Sequence, residues 1–482
     1  MDTRAEFFIG GRWVRPLTSD TIDIVSPHSE QVFATVPLGA APDVDAAVAA
    51  ARSAMSGDWG HSDVAERAGA LRRLAAEVIK RGDDIAATIT EEIGAPVSDV
   101  RTVHVDYAEP MLDYFASIAT SVDGVDYRSR DSERSLVRRI PLGVAAAIVP
   151  WNGPLLSPLL KLAPALAAGC SMVLKPAPET SLTGYLLADA VAAAELPPGV
   201  VNIVSGDRET GECLVTHPDV DKVSFTGSTA AGRRIGELCG SRMRPVTLEL
   251  GGKSAAIVLD DAEVESTAQS LLPNMFSNVG QVCVADSRVL VPRRRYDEYV
   301  AAIASVARSI RLGDPHDPAT AMGPLVAERQ LDRVQDYVRS GVAEGARVVT
   351  GGHRPCSQTT GWYFEPTVFA DVSQSMRIAR EEIFGPVVAV LPYDSEDGAV
   401  RIANATDYGL AGSIWTKDIE HGIALSRRIQ SGVVAINSFG GRLVAPFGGT
   451  KASGIGYEMG PEGVQAFTRL QSVSLPGAHS EP

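Results

Sequence analysis

From Gly143 onward, short apolar runs alternate with longer stretches of helical spacing. The runs are Val144–Val149, Met172–Leu174, Val200–Val204, Lys222–Phe225 and Val246–Leu250. Between them lie Leu155–Ala168, Ser181–Ala194, Glu209–Thr216 and Thr229–Cys239. Near-continuous apolar runs of this length suit strands covered on both faces, and strand-helix alternation predicts a parallel sheet with helices packed on it. The alternation resumes after Gly251. Strand-like runs at Ala255–Leu259, Val289–Val291, Val387–Leu391 and Val433–Ile436 accompany helical patterns at Leu271, Leu272, Met275, Phe276 and Val279, and at Val326–Val342. Two successive α/β units are therefore expected. Upstream, FFIGGRWV (residues 7–14) predicts a hairpin turning at Gly10-Gly11. Helices are predicted over Pro42–Met55, over Ser62–Lys80 with Ser62 as N-cap, and over Asp83–Ile93 closed by Gly94. Their alanine-rich faces predict packing against a sheet. The segment Ser121–Arg139 is rich in charge and low in aliphatics, which fits a solvated ribbon or an arm reaching a neighbouring subunit. The strand-like run Ser472–Leu475 is a candidate to pair with such an arm of another subunit, and the polar tail from Gly477 is expected to be disordered.

Length and composition narrow the class. A chain of 482 residues exceeds one ordinary core, and 45% hydrophobic with 21% charged residues is globular composition. The net charge of −15, with no long Lys/Arg run, argues against a nucleic-acid partner. Five widely spaced cysteines, Cys170, Cys213, Cys239, Cys283 and Cys356, form no CxxC pair, so neither a disulfide framework nor a zinc site is expected. No basic-then-apolar leader and no apolar stretch of roughly 20 residues occurs, so no membrane span is expected. A cytoplasmic location follows as the expectation.

Candidate chemistry gathers in connecting segments, and in parallel sheets ligands bind beyond the carboxyl ends of the strands. Cys283, in GQVCVADSR, lies between a predicted helix and a predicted strand, with Gly280 and Gln281 giving its approach a polar, loop-like character. PWNGPL places Asn152 after the first strand, where its amide can donate to an oxyanion, although Asn is also a common turn former. LKPAPET places Lys175 at a strand end, where it can reach a ribose or phosphate. FTGSTAAGR leads from strand to helix with small residues that let backbone approach a pyrophosphate. It is not a P-loop, because Arg233 and Arg234 stand where Lys and a hydroxyl are required. LELGGKS puts Glu249 on an apolar strand, where a carboxylate must be paired, exposed or functional. None of the eight histidines falls in a recognisable motif, so a Cys-His hydrolase lacks an evident partner.

Together these motifs resemble those of the NAD(P)-dependent aldehyde dehydrogenase superfamily, hydrolytic type, over roughly Phe7 to Leu475. The resemblance implies a Rossmann-like parallel-sheet cofactor domain, a second α/β catalytic domain and a small β oligomerisation arm. It implies boundaries of 1–120 and 142–250 for the first, 251–449 for the second, and 121–141 with 465–482 for the arm and tail. It makes Cys283 the nucleophile, Glu249 the general base, and Asn152 with the Cys283 N–H the oxyanion donors. Trp151, Lys175, Pro178, Gly227, Ser228, Leu250, Glu382 and Phe384 become cofactor positions. Lys175 would hold the adenosine ribose, Gly227 and Ser228 the pyrophosphate, and Glu382 of EEIFGPV the nicotinamide ribose, with Phe384 near the nicotinamide ring. Many NAD-selective relatives carry Glu where this chain has Pro178, so NAD is expected with NADP possible. No metal is implied. The implied partners are an aldehyde and a second copy of the chain, as homodimer or homotetramer.

Gly153, Leu160 and Ser277 stand where many members have aromatics narrowing the substrate tunnel. A wider tunnel and a medium or bulky apolar aldehyde are the resulting expectation, unless Phe439 or Arg442 refills the space. The reaction implied is oxidation of an aldehyde to its acid through a covalent thiohemiacetal and thioester. A cysteine-dependent acyl-transfer enzyme and a catalytically silent binding protein on the same fold are the alternatives from other classes.

Overall fold

In the computed structural model, which describes residues 2–131 and 133–476, the alternation folds as two parallel sheets. The first has the order Gly454–Ile455, Val246–Glu249, Lys222–Thr226, Val144–Ile148, Ser171–Lys175, Val201–Ile203, Phe7–Ile9, Arg12–Val14. Its five central strands run parallel, and the flanking pieces are antiparallel. Side chains of Val144–Ile148 alternate between two cores. Val144, Ala146 and Ile148 join one cluster with Val44, Val48 and Leu214, whereas Ala145 and Ala147 join another with Leu162, Leu166 and Leu187. Period-two alternation with both faces covered is why Val144–Ile148 carries no polar position.

The chain steps from Val144–Ile148 outward through two strands, then crosses back to lay Lys222–Thr226 on the other side. This reversal opens a crevice between the loops after Ile148 and after Thr226, the place where open α/β sheets hold ligands. The second sheet has the order Arg347–Thr350, Thr367–Ala370, Val387–Tyr393, Arg288–Pro292, Ala255–Val258, Ser413–Trp415, Ala435–Ile436, parallel except for its first strand. It faces the crevice differently. Gly251-Gly252, Cys283 and Glu382 all precede the strands they lead into, so this sheet presents its amino ends, and the loops-after-strands expectation holds for the first sheet alone.

Several expectations are corrected. The N-cap of helix Val64–Lys80 is Asp63, which accepts from the Glu66 N–H while Glu66 reaches back to the Asp63 N–H. Ser62 instead bonds Trp59 O at 2.7 Å. Of the three early helices only Ala41–Ser56 packs on the sheet; Val64–Lys80 and Gly82–Ile93 pack mainly on other helices, their alanines allowing close helix-helix approach. The strand Thr468–Leu475 pairs antiparallel with Glu133–Pro141 of the same chain, from Thr468–Pro141 to Leu475–Arg134, and lies at the edge of that sheet. With Val125–Arg130 it completes a three-stranded exposed ribbon. The tail from Gly477 lies outside the described residues. Among the described residues no helix is long and apolar enough to cross a membrane.

Candidate active site

Helix Val264–Phe276 ends in a turn that brings the thiol to the crevice. Asn278, Val279 and Gly280 all adopt left-handed backbone, with φ of 48°, 60° and 69°. For β-branched Val279 this conformation is costly, on the order of 1–3 kcal/mol, and such strain concentrates at functional sites. Gly280 is required twice over, since a Cβ there would lie 2.2 Å from Gly385 O, in the turn of EEIFGPV. Gln281, fully buried, fastens the turn: its Oε1 accepts from Val326 N at 3.1 Å and its Nε2 donates to Asn278 O at 3.1 Å. The Cys283 carbonyl backs onto Gly252, where a Cβ would sit 2.3 Å from it. Three motifs distant in sequence are thereby locked together without intervening side chains.

Asn152 meets Cys283 across a cavity of about 220 Å³ lined also by Pro150, Trp151, Gly227, Ser228, Glu382 and Phe384. One amide N–H of Asn152 donates to Gln281 O at 2.9 Å, which fixes the amide's orientation and leaves its second N–H for another acceptor. The Cys283 N–H donates to no other residue's backbone carbonyl among the described bonds. Burial, reinforced by the negative charges of Glu382 and Glu249, pushes the Cys283 thiol up to about 12. The thiol is thus protonated in this state, and its ionisation needs a base or added positive charge.

Glu249 is 3% exposed at the end of its strand, and both carboxylate oxygens are buried without a hydrogen-bond partner. Burial, then repulsion from Glu458, holds its pKa well above the usual carboxylate range, while Lys161 pulls it down. Lys161 and Glu458 form a buried ion pair; Lys161 Nζ also donates to Thr226 Oγ1 at 2.7 Å and Ser224 Oγ at 3.2 Å. Sequence reasoning missed this pair. Lys161, a lone cation in the apolar helix Leu156–Ala168, was the available signal, because an uncompensated buried ammonium demands a partner. Sequence reasoning likewise missed Gln330 and Arg333. Gln330 Nε2 donates to Phe384 O at 2.6 Å and Arg333 Nε to Ile383 O at 3.0 Å, fastening the turn that presents Glu382.

The 220 Å³ cavity shares Pro150, Trp151, Thr226, Gly227 and Ser228 with a second of about 560 Å³ that contains Lys175, Pro178 and Glu179. Every expected cofactor position lines this continuous cleft, Leu250, Glu382 and Phe384 at the thiol end and Lys175 and Pro178 at the far end. Ser228 caps helix Thr229–Ser241, accepting from Ala231 N at 3.3 Å, so that helix's free N–H groups and positive dipole end face the middle of the cleft. Lys175 is buried and donates to Pro176 O at 2.9 Å; burial lowers its pKa to about 8. Glu382 Oε1 accepts from Gly252 N at 3.0 Å, and burial raises its pKa. Trp151 and Phe384 meet edge to face at 5.4 Å across the thiol end. An elongated cleft with an anion-favouring middle and a buried carboxylate at one end fits a dinucleotide.

The three tunnel positions are not gathered in this cavity. None of Gly153, Leu160 and Ser277 lines it; Leu160 is buried in the core, and a Cβ on Gly153 would lie 2.5 Å from Ser157 Oγ. Phe439 packs on the small apolar cluster that includes Cys283 as a neighbour, whereas Arg442 is exposed and bonds Ser438 and Phe439.

Comparison with known proteins agrees with the geometry. The aldehyde dehydrogenase family model matches residues 13–473. Geranial dehydrogenase of Castellaniella defragrans is 47% identical over 98% of this chain and 98% of its own length. A crystal structure of Mycobacterium tuberculosis aldehyde dehydrogenase complexed with NAD+ superposes with a TM-score of 0.97 at 44% identity, covering 100% of both chains. A mutant aldehyde dehydrogenase from Pseudomonas syringae, solved with NAD+ and octanal, gives 0.92 at 40% identity over 97% of this chain and 96% of that one. The chain belongs to the aldehyde dehydrogenase family, enzymes that oxidise aldehydes to carboxylic acids, and its two parallel sheets are that fold's cofactor-binding and catalytic domains.

Proposed function

We propose that this enzyme oxidises medium or bulky apolar aldehydes with NAD through a covalent intermediate on Cys283. The observation that carries the reading is the convergence of Cys283, Asn152 and Glu382 on one cavity, with unpartnered Glu249 close enough for its charge to act on the thiol. The Cys283 thiol loses its proton to water as its sulfur forms a bond to the carbonyl carbon, and the carbonyl π pair moves onto the oxygen, which becomes an alkoxide. The free Asn152 N–H and the Cys283 N–H donate to it, a stabilisation on the order of 3–4 kcal/mol per donor. A nicotinamide held between Glu382, Phe384 and Trp151 would supply the hydride acceptor for that carbon. A thioester on Cys283 remains, and Glu249 removes a proton from water as the water oxygen bonds the acyl carbon. The carbon-sulfur bond then breaks, releasing the acid. Glu249 suits this task because nothing else holds its oxygens, and Lys161 and Glu458 set its charge from behind.

Lys175, Gly227, Ser228, Trp151 and Leu250 would hold the dinucleotide, with Glu382 and Phe384 at its nicotinamide end. Pro178 leaves the adenosine end without the carboxylate that repels a 2′-phosphate, and neighbouring Glu179 is ion-paired with Arg329. NAD is therefore the cofactor with NADP accepted. Residues 142–250 with the segment before 121 form the cofactor domain, residues 251–449 the catalytic domain, and the ribbon is the assembly arm. Exposure of Val125, Tyr127 and Leu470 on that ribbon supports a homodimer or homotetramer, and five free cysteines support a reducing, cytoplasmic setting.

The substrate class rests on two similar proteins, a geranial dehydrogenase and an aldehyde dehydrogenase solved with octanal, and Gly153, directly after Asn152 of the cavity wall, is the position to test. Initial rates over aliphatic and terpenoid aldehydes of increasing size, paired with Gly153→Phe, test it. Octanal and geranial should have higher kcat/KM than acetaldehyde, and Gly153→Phe should shift preference toward small substrates. Acetaldehyde as best substrate, or an unchanged preference in Gly153→Phe, sinks the substrate assignment.

A further inference from the structure

Three residues beyond the nucleophile lies another buried carboxylate, Asp286, only 2% exposed. Its Oδ2 accepts from Asn274 Nδ2 at 2.8 Å and from Ser413 Oγ at 2.6 Å, and Ser413 Oγ in turn accepts from Trp415 Nε1 at 2.8 Å. The Asp286 N–H donates to Asn274 O at 2.9 Å, so backbone and side chain both fasten the cysteine loop to helix Val264–Phe276. The same Asn274 Nδ2 also donates to Ser438 O at 3.3 Å. One amide group therefore spans from Asp286 to the loop that carries Phe439, and Phe439, like Cys283, packs against the small apolar cluster of Val284, Leu410 and Ala411.

The orientation of Asn274 has a cost. Its Oδ1 is buried with no partner, an arrangement tolerated only because the NH₂ group satisfies two acceptors. A carboxylate at 286 offers acceptors alone and holds the amide this way round; a carboxylic acid can donate to Oδ1 and releases it to flip.

We propose that Asp286 is a positioning residue which, when ionised, orients Asn274 to hold the Ser438–Arg442 loop, and so fixes Phe439 as the wall met by the aldehyde's chain. This rests on the function proposed above, in which Cys283 is the point of attack. The groups facing Asp286 are neutral Asn274 from the helix and neutral Ser413 and Trp415 from the neighbouring strand; the charge bearing on it is Arg288 of the following strand, and Cys283 titrates on its own loop. Burial raises Asp286 to about 6, against the Asn274 and Ser413 bonds and Arg288, so the clamp is set above that pH and released below it.

The test uses the full chain, Asp286→Asn and Ser413→Ala. A hydrogen bond to a charged group contributes enough that exchange of the Asn437 amide, which donates to Ile414 O at 2.9 Å at the foot of this loop, should quicken on the order of tenfold in Asp286→Asn. The kcat/KM for octanal should fall by a similar factor, mainly through KM, while acetaldehyde, too short to reach the wall, changes less than about twofold. In the unsubstituted protein, exchange corrected for its intrinsic pH dependence should quicken below about pH 6. Ser413→Ala removes a bond that favours the carboxylate and should move that midpoint upward. Unchanged exchange in Asp286→Asn, or an equal fall for both aldehydes, overturns the proposal. If Asp286→Asn does not fold, an unmoved midpoint in Ser413→Ala overturns it. Failure of the unsubstituted protein to form NADH with any aldehyde counts instead against the proposed function, and the exchange measurement still decides the clamp.

Discussion

Glu249 and Glu92 are the same residue at nearly the same burial, 3% and 0% exposed, and they do opposite things. Glu92, in the last turn of helix Gly82–Ile93, accepts from Leu182 N at 2.7 Å, Thr183 N at 3.2 Å and Thr183 Oγ1. These donors belong to the first turn of helix Ser181–Ala193, which has no side-chain cap of its own, so Glu92 caps it from a distance. Glu249 accepts nothing. Both pKa values are raised, Glu92 to about 8 by burial that its bonds partly offset, Glu249 by burial and then by the neighbouring charge of Glu458. A buried carboxylate with every donor in place belongs to the architecture. One left without donors beside a nucleophile holds its basicity in reserve for a substrate or water.

The sharpest separation of the two regions comes from removing the reacting groups themselves. Cys283→Ala should abolish turnover while NAD binding, measured by calorimetry, stays nearly intact; surviving oxidation would remove Cys283 from the mechanism. Glu249→Gln should slow steady turnover by about 10²–10⁴-fold, the usual range for a general base. Its pre-steady-state NADH burst should persist, because deacylation is the step impaired. Its melting temperature should not fall, since an amide is cheaper to bury there than an unpartnered acid. Loss of the burst would show that Glu249 is needed chiefly to ionise the thiol.

Glu92→Ala inverts that pattern. It strands three buried donors, at about 1–3 kcal/mol each with partial relaxation, so stability should drop by about 3 kcal/mol in denaturant titration. Activity per folded molecule should be unchanged. A variant of ordinary stability and reduced kcat would break the division between the two carboxylates.

A subtler distinction lies in pH. With its folded pKa raised from 4.5 to about 8, Glu92 binds a proton in the folded state that the unfolded chain has already lost between those values. Stability therefore falls as pH rises from 4.5 to 8, with a slope approaching about 1.4 kcal/mol per pH unit from this group. Glu92→Gln should flatten that slope across the window while preserving acceptors for the cap. An unaltered slope would mean that the three donors keep Glu92 ionised.

The two carboxylates also mark where sequence reasoning reaches and where it stops. Glu249 stood out because a charge interrupts an apolar strand. Strand and helix runs such as Val144–Ile148 and Leu156–Ala168 were legible from patterning, since burial on one or both faces imposes a period. Glu92 and Glu458 were not legible. Each sits in ordinary helix-end or loop composition, and its partners lie 90 or more residues away, at Leu182 and Lys161. Ser62 lost the cap to Asp63 because both are good capping residues and only the geometry of Glu66 decides between them. The intramolecular pairing of Thr468–Leu475 was equally hidden, as an edge strand carries no mark of whose arm it joins.

The smallest expected effect concerns a third carboxylate, Glu179, which is neither orphaned nor capping. It is ion-paired with Arg329 beside the adenosine end of the cleft, one residue from Pro178. Exposed pairs of this kind contribute about 1 kcal/mol or less and hold their charge loosely, so Glu179 is a weak barrier to a 2′-phosphate. A carboxylate at 178 itself would project from the first position of the short helical turn Pro178–Thr180 without that counter-ion. Pro178→Glu should therefore lower kcat/KM for NADP about tenfold, corresponding to about 1.4 kcal/mol of added repulsion, and change that for NAD less than about threefold. The effect should shrink as ionic strength rises, because screening over a Debye length of about 8 Å at physiological salt weakens an exposed charge pair. If NADP already fails to support turnover in the unsubstituted enzyme at saturation, Glu179 excludes the 2′-phosphate despite Arg329. Arg329→Ala should then leave discrimination intact while Glu179→Gln relaxes it.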